Sequence, residues 1–174
     1  KDLNVVKWAA ETFDILDDGL KLRFTLKKGI RWQDGTELTA DDAEFTYLTM
    51  IDPETPTAYA GDFKVITAFR KLDRYSFEVE YEKPFPRSLN TWMGSLMPRR
   101  ALTGQNLRET ALARMPLSCG PYLMKEWEPG ASLTLEANPD YFDGRPYIDR
   151  VLYRIIPDMT TMFLELMAGK LDVM

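Results

Sequence analysis

The chain of 174 residues contains no histidine, so any acid–base chemistry must rest on its carboxylates, lysines or tyrosines. This excludes Ser-His-Asp and Cys-His catalysis, together with zinc or haem sites built on imidazole. Asp41 and Asp42 are the first candidates for a catalytic pair. Neighbouring side chains on a helix diverge by about 100°, so these two carboxylates cannot converge on one substrate atom. The pair instead predicts the acidic first turn of a helix.

Two further groups of acids could suggest chemistry. Asp52, Glu54 and Thr55 offer oxygen ligands for a cation, but they lack the regular acid spacing and the glycine of a calcium loop. Glu78 and Glu80 alternate with apolar residues in SFEVEY, and we expect both to face water. The sequence therefore predicts no catalytic residue, no metal site and no cofactor site.

The single cysteine, Cys119, excludes an internal disulfide within the chain. A reactive thiolate requires a cationic neighbour, and none is close in the sequence. We expect Cys119 to be a small buried residue.

Composition bounds the class of protein. A hydrophobic content of 45% with 12% aromatic residues is typical of a packed globular chain. The net charge is −5 and the basic residues are scattered, which argues against nucleic acid as a partner. No apolar run reaches the roughly 20 residues that span a bilayer. Residues 1–4 are not followed by the apolar stretch of a signal peptide.

Two strands are predicted among the elements that must position any site, one over residues 22–26 and one over residues 76–81. In both, apolar residues alternate with polar residues. Between them, Thr39 precedes Ala40-Asp41-Asp42 and predicts an N-capped helix that ends near Ile51, before Pro53. One cluster should unite the apolar faces of these elements. Its expected members are Phe24, Leu26, Trp32, Phe77 and either Phe45 or Tyr47.

The chain changes character at Pro116–Gly120, where we place a domain boundary between residues 1–116 and 117–174. A short helix over 89–96 is expected before it, and residues 108–115 fit either a short helix or a loop. Beyond the boundary the pattern predicts strands over 122–127, 132–137 and 151–156 and a helix over 160–168 that Gly169 ends.

Three stretches carry a resemblance to a known family. They are GIRWQDGTELTADDAEFTY at 29–47, SCGPYLMKEWEPGASLTLEANPD at 118–140 and IIPDMTTMFLELMAGKLDV at 155–173. Their order and spacing resemble the extracytoplasmic solute-binding proteins of the peptide and nickel class, family 5, which are the ligand receptors of ABC importers. The resemblance covers essentially the whole chain, but these receptors are several times longer, so the chain is interpreted as a fragment.

The resemblance implies an α+β fold of the class II, peptide-binding-like periplasmic type, with mixed or antiparallel sheets and flanking helices. Residues 1–116 would be the small lobe, and residues 117–174 the truncated start of the large lobe. The function implied is capture of a small solute, foremost an oligopeptide or dipeptide, between two lobes for delivery to a membrane permease. The location implied is periplasmic or cell-surface, with the export signal upstream of this chain, and the fragment is expected to self-associate.

Tyr59 is the one candidate ligand-binding residue. It lies in the loop DPETPTAYAG, off any apolar periodicity, where an exposed aromatic residue requires a reason. The matching loop of the resembling oligopeptide receptors, DPNTASPYAS, offers its tyrosine to the ligand. Packing of Tyr59 against its own loop is the alternative. The other aromatic candidates, Trp32, Trp92, Trp127 and Tyr47, are expected in the core.

Two other classes of function stay open at this point. A carboxylate-based glycosidase would need two acids about 5–10 Å apart, and the sequence announces no such pair. An interaction domain without a small-molecule site would lack an aromatic rim on the face between lobes. The sequence also leaves open whether the ligand is a peptide, a nickel complex, a sugar or another solute.

Overall fold

The computed structural model describes residues 6–55 and 57–174, which form two compact units. Unit 1 ends at Thr110 and unit 2 is Ala111–Met174. The sequence placed its boundary after Pro116, and the assignment of the units to the small and large lobes stays a prediction. What the sequence suggested about residues 1–5 and Pro56 lies outside the described residues.

Unit 1 contains a four-stranded antiparallel sheet with the strand order β1-β2-β4-β3. Alternation explains its buried face, because every second residue of a strand points to the same side. Leu22 and Phe24 lie across from Val79 and Phe77, and all four side chains are buried. The strands are β1 (Ala10–Leu16), β2 (Lys21–Leu26), β3 (Ile66–Lys71) and β4 (Ser76–Tyr81).

Four helices accompany this sheet, and the capping signal read in the sequence sets the start of the longest one. The Asp41 N–H donates to Thr39 Oγ1 at 3.3 Å, and the Thr39 N–H donates to Asp42 Oδ2 at 2.8 Å. This reciprocal pair is a capping box, which confirms the predicted helix start. The helices are α1 (Ala40–Ile51), α2 (Ala60–Lys64), α3 (Ser88–Thr91) and α4 (Arg99–Leu102).

A row of stacked rings fills the space between the sheet and the helices. Phe77 stacks on Phe24 with ring centroids 5.0 Å apart and on Phe69 at 5.2 Å, and Phe69 stacks on Tyr47 at 5.5 Å. Trp92 lies against Phe24, Phe69 and Phe77. Of the two helix residues expected in the cluster, Tyr47 is the one that contacts this row.

The expectation that Glu78 faces water is wrong. Glu78 is only 4% exposed, and the strand register sets Arg23 directly across from it. Arg23 donates to Glu78 Oε2 from Nε at 3.1 Å and from Nη2 at 2.9 Å, and Lys21 Nζ lies 3.7 Å from Oε1. These two cations compensate a carboxylate that is largely removed from water.

Unit 2 contains a three-stranded antiparallel sheet with the order β5-β6-β7, followed by one helix. The Asp158 carboxylate caps that helix by accepting the Thr161 N–H at 2.7 Å. Within unit 2 the buried residues are Cys119, as expected, with Thr134 and Asn138. The elements are β5 (Tyr122–Glu128), β6 (Ser132–Ala137), β7 (Arg150–Arg154) and α5 (Met159–Met167).

The core prediction for Trp127 is wrong, because this residue is 42% exposed on β5 whereas Trp32 of unit 1 is 5% exposed. The helix α5 contains no buried residue. None of the helices in the described part of the chain has the length and apolar character needed to cross a membrane.

Candidate ligand-binding surface

Tyr59 lies at the end of a loop that is held by its own polar groups. The Glu54 N–H donates to Asp52 Oδ1 at 2.9 Å, and the Tyr59 N–H donates to Thr57 Oγ1 at 3.1 Å. The Asp62 N–H in turn donates to the Tyr59 carbonyl at 3.1 Å, at the start of α2. Asp52 and Glu54 are exposed and act in turn formation, which agrees with the solvated turn expected there.

The Tyr59 side chain is mostly uncovered. It is 66% exposed, and among the described residues its ring forms no hydrogen bond or aromatic contact. A fixed backbone with an uncovered ring presents an aromatic surface at low entropic cost to a partner. The role of Tyr59 in binding a ligand remains a prediction.

The short helices α2 and α3 form the surface next to Tyr59. Phe63 of α2 is buried and contacts the ring of Trp92 edge-on, with centroids 5.5 Å apart. On the outside of the same corner, Arg87 Nη2 lies 3.0 Å from Asp62 Oδ2. The ring contact and the ion pair together fix α3 against α2.

Asp41 and Asp42 are adjacent in sequence but lie in opposite environments. Lys71 Nζ lies 2.5 Å from Asp41 and lowers the pKa of this carboxyl below its ordinary value. Asp42 is 5% exposed, and burial raises the pKa of its carboxyl. The two groups diverge, as expected for neighbours on a helix, and do not form an acid–base pair.

Asp42 and Thr46, one turn apart on α1, hold a distant segment, and no local sequence pattern predicts this contact. Asp42 Oδ1 accepts the Arg99 N–H at 2.8 Å, and Thr46 Oγ1 accepts the Met97 N–H at 2.8 Å. The indole of Trp32 also lies close enough to Asp42 to favour its charged form, although Trp32 Nε1 has no hydrogen-bond partner in the described part of the chain. We call Asp42 and Thr46 the α1 anchor.

An open cavity of about 480 Å³ lies beside Asp42, within unit 1. Two ion pairs lie in its wall: Arg74 with Glu37 at 2.8 Å, and Arg99 with Asp41 at 3.4 Å. Tyr59 does not line it, so the cavity and the predicted ligand contact are separate places. The lining residues are Thr36, Glu37, Thr39, Asp41, Asp42, Arg74, Arg99, Arg100 and Thr103.

Metal and thiol chemistry find no support in the described residues. Across 6–55 and 57–174, no three His, Cys, Asp or Glu side chains are arranged to hold a metal ion. Cys119 forms no disulfide bond and is buried, at 8% exposure.

Comparison with known proteins shows the family. The profile described as "Bacterial extracellular solute-binding proteins, family 5 Middle" matches residues 4–174. Among curated proteins, the oligopeptide-binding protein AppA of Bacillus subtilis (strain 168) is 34% identical, over 98% of this chain and 32% of that protein.

Solved structures agree on the fold. The structure of AppA from Bacillus subtilis in complex with a nonapeptide superposes with a TM-score of 0.90 at 32% identity, over 97% of this chain and 35% of that one. NikZ from Campylobacter jejuni in complex with Ni(L-His) has a TM-score of 0.89 at 26% identity, over 94% of this chain and 33% of that one. These matches confirm the α+β, periplasmic-binding-protein type of fold.

The chain spans about a third of the length of the relatives it matches. Proteins of this family bind solutes for transport and are not enzymes, which agrees with the absence of catalytic residues expected from the sequence. The match over residues 4–174 places this chain in the bacterial extracellular solute-binding proteins, family 5.

Proposed function

We propose that this chain is part of the ligand-binding component of an ABC importer, which binds an oligopeptide or dipeptide between two lobes and delivers it to a membrane permease. The observation that carries the proposal is the similarity of 98% of the chain to a receptor named for oligopeptide binding. The uncovered ring of Tyr59 on a braced loop adds a surface suited to peptide binding.

A cleft receptor gains affinity by burying most of its ligand between two walls. The 174-residue chain offers only part of such a cleft. The cost of immobilising a ligand, several kcal/mol, is not reduced when half of the contacts are removed. We therefore expect the isolated chain to bind no solute tighter than about millimolar.

The test is calorimetry on a receptor in which this chain is joined to the remaining lobe segments. Short peptides are the expected ligands, and the Ni(L-His) complex and a sugar are tested as alternative ligands. Tyr59→Ala should weaken peptide binding, since the ring would lose its contact with the ligand. Tyr147→Ala is the matched control, because Tyr147 is a fully exposed tyrosine in unit 2. Equal peptide affinity in the parent and Tyr59→Ala proteins would show that Tyr59 is not part of the binding site. Binding of the nickel complex without binding of any peptide would show that the ligand is a nickel complex and not a peptide.

We also infer that the isolated chain self-associates through residues 120–174. The helix α5 carries large apolar side chains that are mostly uncovered, with Phe163 50% exposed, Leu164 61% and Met167 71%. A contiguous exposed apolar surface is typical of an interaction site, and unpaired strand edges tend to pair with another chain. Light scattering of the parent chain and of Leu164→Glu tests this, since the charged variant should be closer to a monomer. A monomeric parent chain at high concentration would contradict the inference.

The extracellular family description supports a location outside the cytoplasm, with an export signal encoded upstream of this chain. N-terminal sequencing of the mature receptor, isolated from cells, would show whether such a signal is removed.

A further inference from the structure

We propose that Arg87, held in place by Asp62 beside Tyr59, binds a carboxylate of the peptide ligand. The inference rests on the proposed function and adds a group that determines which peptides bind. A carboxylate could come from the C-terminus of the peptide or from an acidic side chain, and the experiment below separates these sources.

The backbone of Arg87 is fixed where α3 begins. The Thr91 N–H donates to the Arg87 carbonyl at 3.0 Å, and Thr91 Oγ1 donates to the same carbonyl at 3.2 Å. Ser88, the next residue, is buried and donates its N–H to the Phe85 carbonyl at 2.9 Å. The side chain of Arg87 therefore starts from a rigid position.

Asp62 then orients the guanidinium group of Arg87. Its Oδ2 atom accepts from Arg87 Nη2 at 3.0 Å, and the Asp62 side chain is 27% exposed whereas that of Arg87 is 67% exposed. Asp62 lies one helical turn from Tyr59 and donates its N–H to the Tyr59 carbonyl. This places the ion pair and the uncovered ring on one corner of unit 1.

The guanidinium group retains donors for a ligand. Among the described residues, only Asp62 accepts a hydrogen bond from it, and only through Nη2. The remaining N–H groups face solvent in the planar fork that suits a carboxylate. The Asp62 charge opposes a second carboxylate, but a ligand on the solvent side of the 67% exposed Arg87 side chain meets this charge through water and salt, which screen it. Pre-orientation of Arg87 lowers the entropy lost when the ligand binds.

Saturation-transfer NMR on the 174-residue chain measures the preference for peptides that carry a carboxylate, because the method detects millimolar binding. The probes are the tripeptide Ala-Phe-Ala with a free C-terminus, its C-terminal amide, and Ala-Glu-Ala amide, which carries only a side-chain carboxylate. We expect the free acid to bind about three- to tenfold more tightly than the Ala-Phe-Ala amide. If Ala-Glu-Ala amide binds more tightly than Ala-Phe-Ala amide, the carboxylate comes from an acidic side chain. If the two amides bind equally, the carboxylate comes from the C-terminus of the peptide.

Arg87→Ala should remove this preference, and Arg87→Lys should retain part of it. Asp62→Asn should reduce the preference while leaving the urea midpoint unchanged, and Asp62→Glu should restore it, as expected of a positioning residue. Arg70→Ala is the matched control, because Arg70 is similarly exposed and pairs with Glu80 on the sheet at 3.2 Å. An unchanged preference in Arg87→Ala overturns the proposal but leaves the peptide function standing. An absence of saturation transfer to all three tripeptides also overturns the proposal for Arg87, whereas the peptide function is tested separately by the calorimetry on the joined receptor.

Discussion

Unit 1 covers its four-stranded sheet with α1, α2 and the ring of Trp92, whereas the three-stranded sheet of unit 2 leaves Trp127 and Tyr153 at least 42% exposed. Each sheet contains strands whose sequences alternate apolar with polar residues, β2 and β4 in unit 1 and β6 in unit 2. The difference therefore lies in what packs on the apolar face and not in the strands themselves. A strand pattern fixes which side chains share a face, but burial requires a second layer.

The largest effect expected from this difference concerns two tryptophans. Trp32→Ala in unit 1 should lower the free energy of unfolding by about 3–5 kcal/mol, because a fully buried aromatic residue leaves a cavity. Trp127→Ala in unit 2 should change it by no more than about 0.5 kcal/mol. Urea unfolding followed by far-UV circular dichroism measures both. Equal costs for the two variants would break the comparison between the units.

Helix caps give the next test. Thr39→Ala should lower the stability of unit 1 by about 1 kcal/mol, since the N-terminal N–H groups of α1 lose an acceptor. Asp158→Ala removes the corresponding cap of α5, a helix with no buried residue, and should leave the unfolding midpoint of unit 1 unchanged. An unchanged urea midpoint and slope in Thr39→Ala would show that Thr39 does not stabilise the helix.

The two neighbouring aspartates should respond to pH in opposite directions. The pKa of Asp41 is lowered by Lys71, so its contribution to stability is present above the ordinary value of 3.8 and is lost as the pH falls through its folded-state pKa. The pKa of Asp42 is raised by burial, so its contribution is greatest below 3.8 and declines as the pH rises towards its folded-state pKa.

Urea unfolding of Asp41→Asn and Asp42→Asn, each against the parent chain from about pH 2 to 6, measures these contributions. The cost of Asp41→Asn should shrink towards low pH, and the parent should lose stability relative to Asp42→Asn as the pH rises. Parallel pH curves for the parent and both variants would contradict the assigned environments.

The smallest effect is expected at Tyr59. Tyr59→Ala should change the free energy of unfolding by no more than about 0.5 kcal/mol, because the ring is mostly in water. A decrease in the free energy of unfolding of more than about 1 kcal/mol, the effect of losing a helix cap, would show that the ring packs against its own loop.

Local patterns explain which parts of the fold could be predicted. The strands β2, β4 and β6 alternate cleanly, and Thr39-Ala40-Asp41-Asp42 marks a helix start, so these elements were identified. The edge strand β1 (Ala10–Leu16) has no fully buried residue and β3 (Ile66–Lys71) has one, so neither shows a clear period. The alternation of β4 alone predicts that Glu78 faces water, because the cations that pair with it lie on another strand, β2.

The residues of the candidate site also divide into those that a local sequence pattern predicts and those that it does not. Tyr59 could be singled out because it lies in a loop where no packing pattern accounts for an aromatic residue. The Arg87–Asp62 pair joins positions 25 residues apart, and the α1 anchor joins positions 51 and 57 apart. Such pairings depend on how helices meet, which a single sequence does not encode in any local signal.

The α1 anchor has a consequence for the order of folding. The helix α1 is local, but its bonds to Met97 and Arg99 close long loops, and closing a long loop delays contacts that depend on it. Residues 97–102 should therefore dock after the rate-limiting step, when α1 and the sheet have formed. Thr46→Val should speed unfolding and leave the refolding rate nearly unchanged in stopped-flow measurements. An equal slowing of refolding would place the anchor in the folding nucleus.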